Sequence, residues 1–144
     1  MRVAIRRVDP SLPLPEYQSA GAVAFDLYAR TDTTVGPGAI ARIPSNLIVA
    51  VPEGHALVVA LRSGTPGRLG LLMPNAIGII DQDFRGPADE IEIQVYNFTR
   101  EAVTVERGAR FAQALLVPVA RCEWMEHDPA VHASRGGFGS TGTT

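Results

Sequence analysis

Apolar residues along this 144-residue chain fall in short runs, and several of these runs alternate with polar residues. In EIEIQVYN (90–97), three aliphatic side chains share one side of an extended segment, and glutamate and glutamine side chains share the other. A two-residue period is the signature of a β-strand with one buried face. We therefore predict a strand here, with an aliphatic core face.

Other segments give the same signal between Gly- and Pro-containing turns. They are RVAIRRV (2–8), AIARIP (39–44), LIVAVP (47–52), HALVVALR (55–62), AVTVERG (102–108) and RFAQALLVPVA (110–120). No segment sustains the spacing of a long amphipathic helix. We expect at most one short helix, around Thr65 to Leu72, weakened by Pro66 and Gly67. The pattern predicts an all-β sandwich or barrel.

Composition narrows the class of protein. Hydrophobic residues make up 46% of the chain and charged residues 19%, as in a single globular domain. Neither a signal-peptide pattern nor a run of membrane-spanning length is visible, so a soluble, cytoplasmic protein without membrane contact is expected. Cys122 is the only cysteine, which excludes an intrachain disulfide and cysteine-cluster metal sites. The net charge of -2 argues against nucleic-acid binding but allows a small anionic ligand.

The composition changes near the C-terminus, which predicts a β domain over residues 1–132 and a flexible tail over 133–144. The tail is almost entirely Ser, Thr, Gly and Arg around Phe138. It contains a G-x-G-x-x-G pattern, but no helix can follow it, so a dinucleotide fingerprint is rejected. Two interpretations stay open: a disordered polar terminus, or a segment whose amides and hydroxyls close onto an anion.

Two segments place charge beside apolar strands. Arg62, Ser63 and Gly64 end an apolar run, and such a turn is either solvated or a phosphate-binding loop. Asp26 lies within an otherwise apolar strand. Burying a carboxylate is costly unless it is paired, so Asp26 is either exposed at an edge or functional.

Polar residues also follow or interrupt two other apolar runs. Asp81 and Asp83 stand two positions apart, and they could share a metal or divide acid and base roles. Gln113 needs hydrogen-bond partners if its amide points inward. His55, like the other histidines, is expected at the surface, and Trp124 is expected to be a packing residue.

Taken together and in order, five segments resemble the motifs of the trimeric dUTPase family, which hydrolyses dUTP to dUMP and pyrophosphate. They are AGAVAFDLYA, RSGTPGRLGL, NAIGIIDQDFRG, RGARFAQALL and RGGFGSTG, and they extend from about Ala20 to Gly142. Five motifs in the family's order are far more specific than any one of them.

The resemblance assigns roles around the nucleoside. Asp81 matches the carboxylate that activates the attacking water, and Asp83 stands where the motif varies. Phe84 matches the aromatic residue, usually Tyr, that packs under the deoxyribose and excludes a 2'-hydroxyl. Asn75 and Gly78 fall in a β-hairpin that reads uracil through backbone hydrogen bonds.

The resemblance also assigns the phosphate contacts. Arg62, Ser63 and Gly64 match the second motif, Gln113 matches the fourth, and Asp26 matches a supporting carboxylate of the first. The fifth motif falls on the tail, where Phe138 would stack over uracil and the other residues would bind phosphate: Arg135, Gly139, Ser140 and Thr141. Two residues separate Arg135 from Phe138, where the family usually has four.

Fold, partners and cofactor follow from the same resemblance. It implies a jelly-roll-like β-barrel, a homotrimer that exchanges its C-terminal strand or tail, and active sites built from three subunits. It implies in-line attack of water on the α-phosphorus of dUTP, with Mg²⁺ held by substrate phosphates and water and by no protein ligand. The activity would remove dUTP and supply dUMP for thymidylate synthesis.

Two alternatives use the same fold. One is a dCTP deaminase, alone or bifunctional with dUTPase; its catalytic Glu would fall on Gln94, whose amide cannot shuttle protons. The other is a non-catalytic nucleotide-binding module, which would be expected to lack the Asp81 carboxylate.

Overall fold

The computed structural model describes residues 1–126 and Gly136, and within them the chain is almost entirely β-structure. The strands are β1 (Ile5–Arg7), β2 (Phe25–Tyr28), β3 (Thr33–Val35), β4 (Ile40–Pro44), β5 (Leu47–Val49), β6 (His55–Leu61), β7 (Leu71–Leu72), β8 (Gly78–Ile80), β9 (Glu92–Asn97), β10 (Val103–Val105) and β11 (Arg110–Pro118). One short helix, α1 (Thr65–Leu69), follows β6. The prediction of an all-β fold is confirmed.

The strands form four antiparallel sheets. The largest has the order β2-β11-β6-β8, a second has β4-β9-β7, and two pairs join β1 to β5 and β3 to β10. All the strands predicted from alternation are present, although each is shorter than its segment. The short strand β3 lacked a clear apolar run and was not among the predicted strands.

The core lies between these sheets and is aliphatic. Ile91, Ile93 and Val95 are at most 1% exposed, as the alternation in EIEIQVYN predicted. They pack in one cluster with Leu57 and Val59 of β6 and with other residues of the two larger sheets. Removing this apolar surface from water is the main force that holds the sheets together.

The longest continuous pairing joins β6 to β11. It runs from Leu61 opposite Ala112 to His55 opposite Pro118. On its other edge β6 pairs with β8, where Leu57 lies opposite Ile80 and Val59 opposite Gly78. Strand β6 is therefore fixed on both sides, and it positions the segments that leave its two ends.

Helix α1 lies where a short helix was expected, but the proline does not weaken it. Pro66 stands in the first turn, where a missing N–H costs nothing. The helix ends at Gly70, which has φ +63° and donates its N–H to the Pro66 carbonyl at 2.9 Å. A side chain at Gly70 would also overlap the Thr99 methyl group, so both conformation and space require glycine there.

A buried polar network joins the N-terminal segment to the entrance of β9. Asn46 has φ +68°; its side chain accepts from the Asp9 N–H at 2.6 Å and donates to the Asp9 carbonyl at 3.0 Å. The Asn46 N–H donates to Glu90, whose carboxylate also binds Arg30 at 2.8 Å. The arrangement fixes Glu90, the residue that closes the 81–90 loop.

Two further observations concern the surface. Trp124 is 89% exposed and Met125 88%, so within the single chain Trp124 is not the packing residue that the sequence suggested. Across the described part of the chain, no helix combines the length and the apolarity needed to cross a membrane.

Asn46 offers a test of this network. We expect Asn46→Ala to lower the free energy of unfolding by about 2–4 kcal/mol, because it loses two hydrogen bonds and puts Ala in a left-handed conformation. Asn46→Gly removes the same bonds but relieves the backbone, so it should be about 1 kcal/mol more stable than the Ala variant. Urea unfolding measures both, and an Ala variant as stable as the Gly variant would contradict the backbone argument.

Candidate active site

The turn that follows β6 forms one side of a cavity. The Arg62 N–H donates to the Phe111 carbonyl at 3.2 Å, and the Thr65 N–H donates to the Arg62 carbonyl at 2.9 Å. The cavity has a volume of about 310 Å³. Its lining comprises Arg62, Ser63, Gly64, Thr65, Arg68, Leu69 and Arg110. The predicted phosphate-binding residues 62–64 thus border a concave, cationic space.

Asp26 is buried and paired beside this turn. Its side chain is 7% exposed, and its two oxygens contact Arg62 Nε and Arg110 Nη1, each at 3.1 Å. Arg62 Nη1 also donates to the Arg110 carbonyl at 3.2 Å, which links the two arginines directly. The structure excludes an exposed Asp26, because the carboxylate is buried and paired with two arginines. The carboxylate holds both guanidinium groups at the cavity.

Gln113 lies on β11 between Asp26 of β2 and Ala60 of β6. Its side-chain amide donates to the Leu61 carbonyl at 3.3 Å, immediately before Arg62. The structure therefore brings Gln113 to the same strand end as Asp26 and Arg62. Sequence order separates these three residues widely, and only the β2-β11-β6 pairing unites them.

The predicted catalytic carboxylate follows the other edge strand. Asp81 comes directly after β8 and is exposed, and the Phe84 N–H donates to its carbonyl at 3.4 Å. Gln82 and Asp83 form a turn, so the two aspartates do not share a strand face. Both aspartates still border one cavity of about 460 Å³, together with His55, Gln82 and Arg121. Phe84 is 39% exposed in the same loop.

Asn75 lies in the turn between β7 and β8, and Gly78 is the first residue of β8. These strands pair with β9 and β6 respectively, so the segment connects two sheets and is not the paired hairpin that the resemblance implied. The Asn75 amide donates to the Ile77 carbonyl at 3.1 Å. Asn75 and Gly78 border a cavity of about 230 Å³. A Cβ on Gly78 would lie 3.4 Å from Val59 Cβ and from the Met73 methyl group, which is close contact on both sides.

Within one chain, the residues around Asp81 lie far from the residues around Arg62. Asp81 lies beyond Ile80, which is opposite Leu57, whereas Arg62 follows the far end of β6. The five residue steps from Leu57 to Arg62 span roughly 17 Å of strand. A base acts within hydrogen-bond distance or through one water, so Asp81 and Arg62 of the same chain cannot serve one scissile phosphate.

Some predicted residues lie outside the described part of the chain, namely Arg135, Phe138, Gly139, Ser140 and Thr141. Conversely, Arg110 had no predicted role, yet its Nη1 binds Asp26 and also donates to Gln18 at 2.6 Å. Arg110 could have been found from the sequence. A carboxylate such as Asp26 in an apolar strand requires cations, and Arg110 begins a strand that can pair with the Asp26 strand. Nothing in the sequence pattern pointed to Gln18.

Carboxylate, histidine and cysteine side chains do not assemble a metal-ligand cluster of three or more in residues 1–126 and 136. The Asp26 carboxylate contacts an arginine through each oxygen, which leaves lone pairs for metal-bound water. Mg²⁺ usually keeps several waters and binds through substrate phosphates. The Asp26 carboxylate therefore fits a Mg²⁺ ion that it contacts through water.

Comparison with known proteins identifies relatives over nearly the whole chain. The family model described as dUTPase matches residues 11–142. The deoxyuridine 5'-triphosphate nucleotidohydrolase of Dictyoglomus turgidum is 39% identical, with 99% of each chain covered. That of an Anaeromyxobacter species is 41% identical, with 97% of each chain covered.

Solved structures give the same family. The dUTPase of Streptococcus mutans superposes with a TM-score of 0.77 at 27% identity, covering 83% of this chain and 98% of that one. The dUTPase of Staphylococcus bacteriophage 80alpha, solved with dUPNHPP, has a TM-score of 0.86 at 20% identity, covers 99% of each chain, and shows likeness of fold alone. Family model, curated relatives and fold agree, and the chain belongs to the dUTPase family.

Proposed function

We propose that this chain hydrolyses dUTP to dUMP and pyrophosphate in an active site shared between subunits of a homotrimer, in the cytoplasm. Relatives about 40% identical over the whole chain are named deoxyuridine 5'-triphosphate nucleotidohydrolases. The observation that carries the proposal is the cationic cavity of Arg62, Arg110 and Ser63, organised by the buried Asp26 carboxylate. Such a cavity suits a polyphosphate.

The separation of Asp81 from Arg62 supports the shared site. Because one chain holds them at opposite ends of β6, a catalytic site requires Asp81 of one subunit beside Arg62 of another. Apolar side chains left uncovered in the single chain support the same assembly, since large exposed patches commonly mark interfaces. Ile79, which borders the same cavity as Asp81, is 61% exposed, and Trp124 and Met125 are almost fully exposed.

Nucleoside recognition would fall to the segment around β8. Asn75 of the turn and Gly78 at the start of β8 would offer backbone groups to uracil in the cavity that both residues border. Phe84 would pack under the deoxyribose and leave no room for a 2'-hydroxyl. The missing phenol hydroxyl does not affect this exclusion, because the exclusion is steric.

The phosphates would lie against Arg62, Ser63 and Gly64, with Gln113 at the adjacent strand end. Arg62 is preorganised by Asp26, so little side-chain entropy is lost on binding. Residues 133–144 would close over the nucleotide, with Phe138 on uracil and the following residues on phosphate: Gly139, Ser140 and Thr141, preceded by Arg135.

In the proposed mechanism the Asp81 carboxylate accepts a proton from water as that water attacks the α-phosphorus in line with the leaving pyrophosphate. The guanidinium of Arg62 and the amide of Gln113 stabilise the charge that develops on the phosphate oxygens. Mg²⁺, when bound, neutralises charge on the triphosphate. Asp26 keeps Arg62 and Arg110 in place throughout.

A nucleotide panel tests the reaction. We expect Mg²⁺-dependent pyrophosphate release from dUTP, with dTTP and UTP far slower because of the uracil slot and Phe84. Removal of Mg²⁺ with a chelator should suppress the activity and added Mg²⁺ should restore it. Ammonia release from dCTP would instead identify a deaminase, and failure to release pyrophosphate from any nucleotide would favour a binding module.

The role of Asp81 has its own test. We expect Asp81→Asn to lower kcat by about 10²–10⁴-fold, because an amide cannot accept the proton from water. The affinity for a non-hydrolysable dUTP analogue, measured by calorimetry, should change little. Asp83→Asn is the matched control and should retain most of the turnover. Normal turnover in Asp81→Asn would remove the proposed base.

A further inference from the structure

Arg68 borders the same cavity as the predicted phosphate-binding turn, but no motif assigned it a role. It lies in the last turn of α1 and is exposed. A Cβ built on Gly64 would lie 3.5 Å from Arg68 Nε and 3.8 Å from its Cζ, so the guanidinium stem passes directly over the Gly64 backbone. Arg68 thus lies close to the turn that Arg62 and Ser63 begin.

The other cations of the cavity are already engaged. Arg62 and Arg110 share the Asp26 carboxylate, and each makes a further hydrogen bond, Arg62 to a carbonyl and Arg110 to Gln18. Three guanidinium groups against one carboxylate give the cavity a net charge of +2. In residues 1–126 and 136, the Arg68 side chain, which lines the cavity, makes no hydrogen bond or ion pair.

The neutral groups of the lining leave few other donors. The Thr65 hydroxyl is buried and donates to the Phe111 carbonyl at 2.6 Å, so it is committed to the fold. Leu69 packs against the core. Among the side chains of this cavity, Ser63 and Arg68 are the ones that lack a partner in the described structure. Arg68 is the charged one of the two.

We propose that Arg68 binds the leaving pyrophosphate of the nucleotide, which makes it a substrate-binding residue of the site. This inference rests on the proposed function. A guanidinium presents several N–H donors in a plane and suits phosphate oxygens. Arg135 stands closer to Phe138 in sequence than the family's tail arginine does, which changes where it can reach. A cation on helix α1 does not depend on that spacing. Binding by Arg68 stabilises the same charge that grows on pyrophosphate as it leaves.

The test compares two ligands on the full-length protein. Calorimetry with Mg²⁺ measures the affinity for dUMP and for a non-hydrolysable dUTP analogue. We expect Arg68→Gln to weaken binding of the analogue by about 10–100-fold, the range for a hydrogen bond to a charged group, and to leave dUMP binding unchanged. Arg68→Lys should retain part of the affinity, since it keeps the charge and loses the planar donors.

Two controls complete the design. Arg100→Gln removes the same charge from an exposed arginine outside the cavity and should bind both ligands like the wild type. Arg135→Gln in the full chain compares the tail arginine with Arg68, and we expect its loss of analogue affinity to be the smaller one. Thermal unfolding of Arg68→Gln should match the wild type.

Several results would overturn the proposal. Unchanged analogue affinity in Arg68→Gln would exclude the contact, as would an equal loss for dUMP and the analogue. A larger effect of Arg135→Gln would assign the pyrophosphate to the tail. In each case a wild-type enzyme that releases pyrophosphate from dUTP leaves the proposed function intact. Failure of that hydrolysis would reject the function itself.

Discussion

The pairing of β6 with β11 and β8 is the constraint on which the candidate site depends. Its hydrogen bonds hold a seven-residue strand straight, with the Arg62 turn at one end and Asp81 near the other. A β-ladder is stiff, because displacement of one strand breaks several hydrogen bonds and moves side chains out of the core. The distance between the two halves of the site is therefore fixed by the fold, and small loop motions cannot close it.

The buried charge at Asp26 is the second constraint. Taking a carboxylate out of water is unfavourable unless cations and hydrogen bonds replace the solvent, and here two arginines do so. As a result, the two arginines are already held at the cavity before any ligand binds. The two guanidinium groups offset the cost of burying the carboxylate, and the result is a preorganised anion site.

Much of this arrangement could be predicted from the sequence. The remaining parts could not be predicted, and the reason is physical. Alternation around Ile91, Ile93 and Val95 predicted β9 because one face is buried and the other solvated. Pairing partners were not predictable, since alternation does not encode which strands meet; Gln113 beside Asp26 and the separate sheets of β7 and β8 appear only in three dimensions. Arg68 was missed because a lone arginine in a short helix has no signature until its neighbours are seen to be paired.

The central claim is that each active site combines residues of different subunits, and subunit mixing tests it most directly. Asp81→Asn and Arg62→Gln chains, each inactive alone, are co-assembled and the mixed oligomers are purified through two tags. If one subunit supplies Asp81 and another Arg62, each mixed cyclic trimer restores one of its three sites, and pyrophosphate release from dUTP should return to about a third of the wild-type level. Mixed oligomers that remain as inactive as the parent variants would contradict the account.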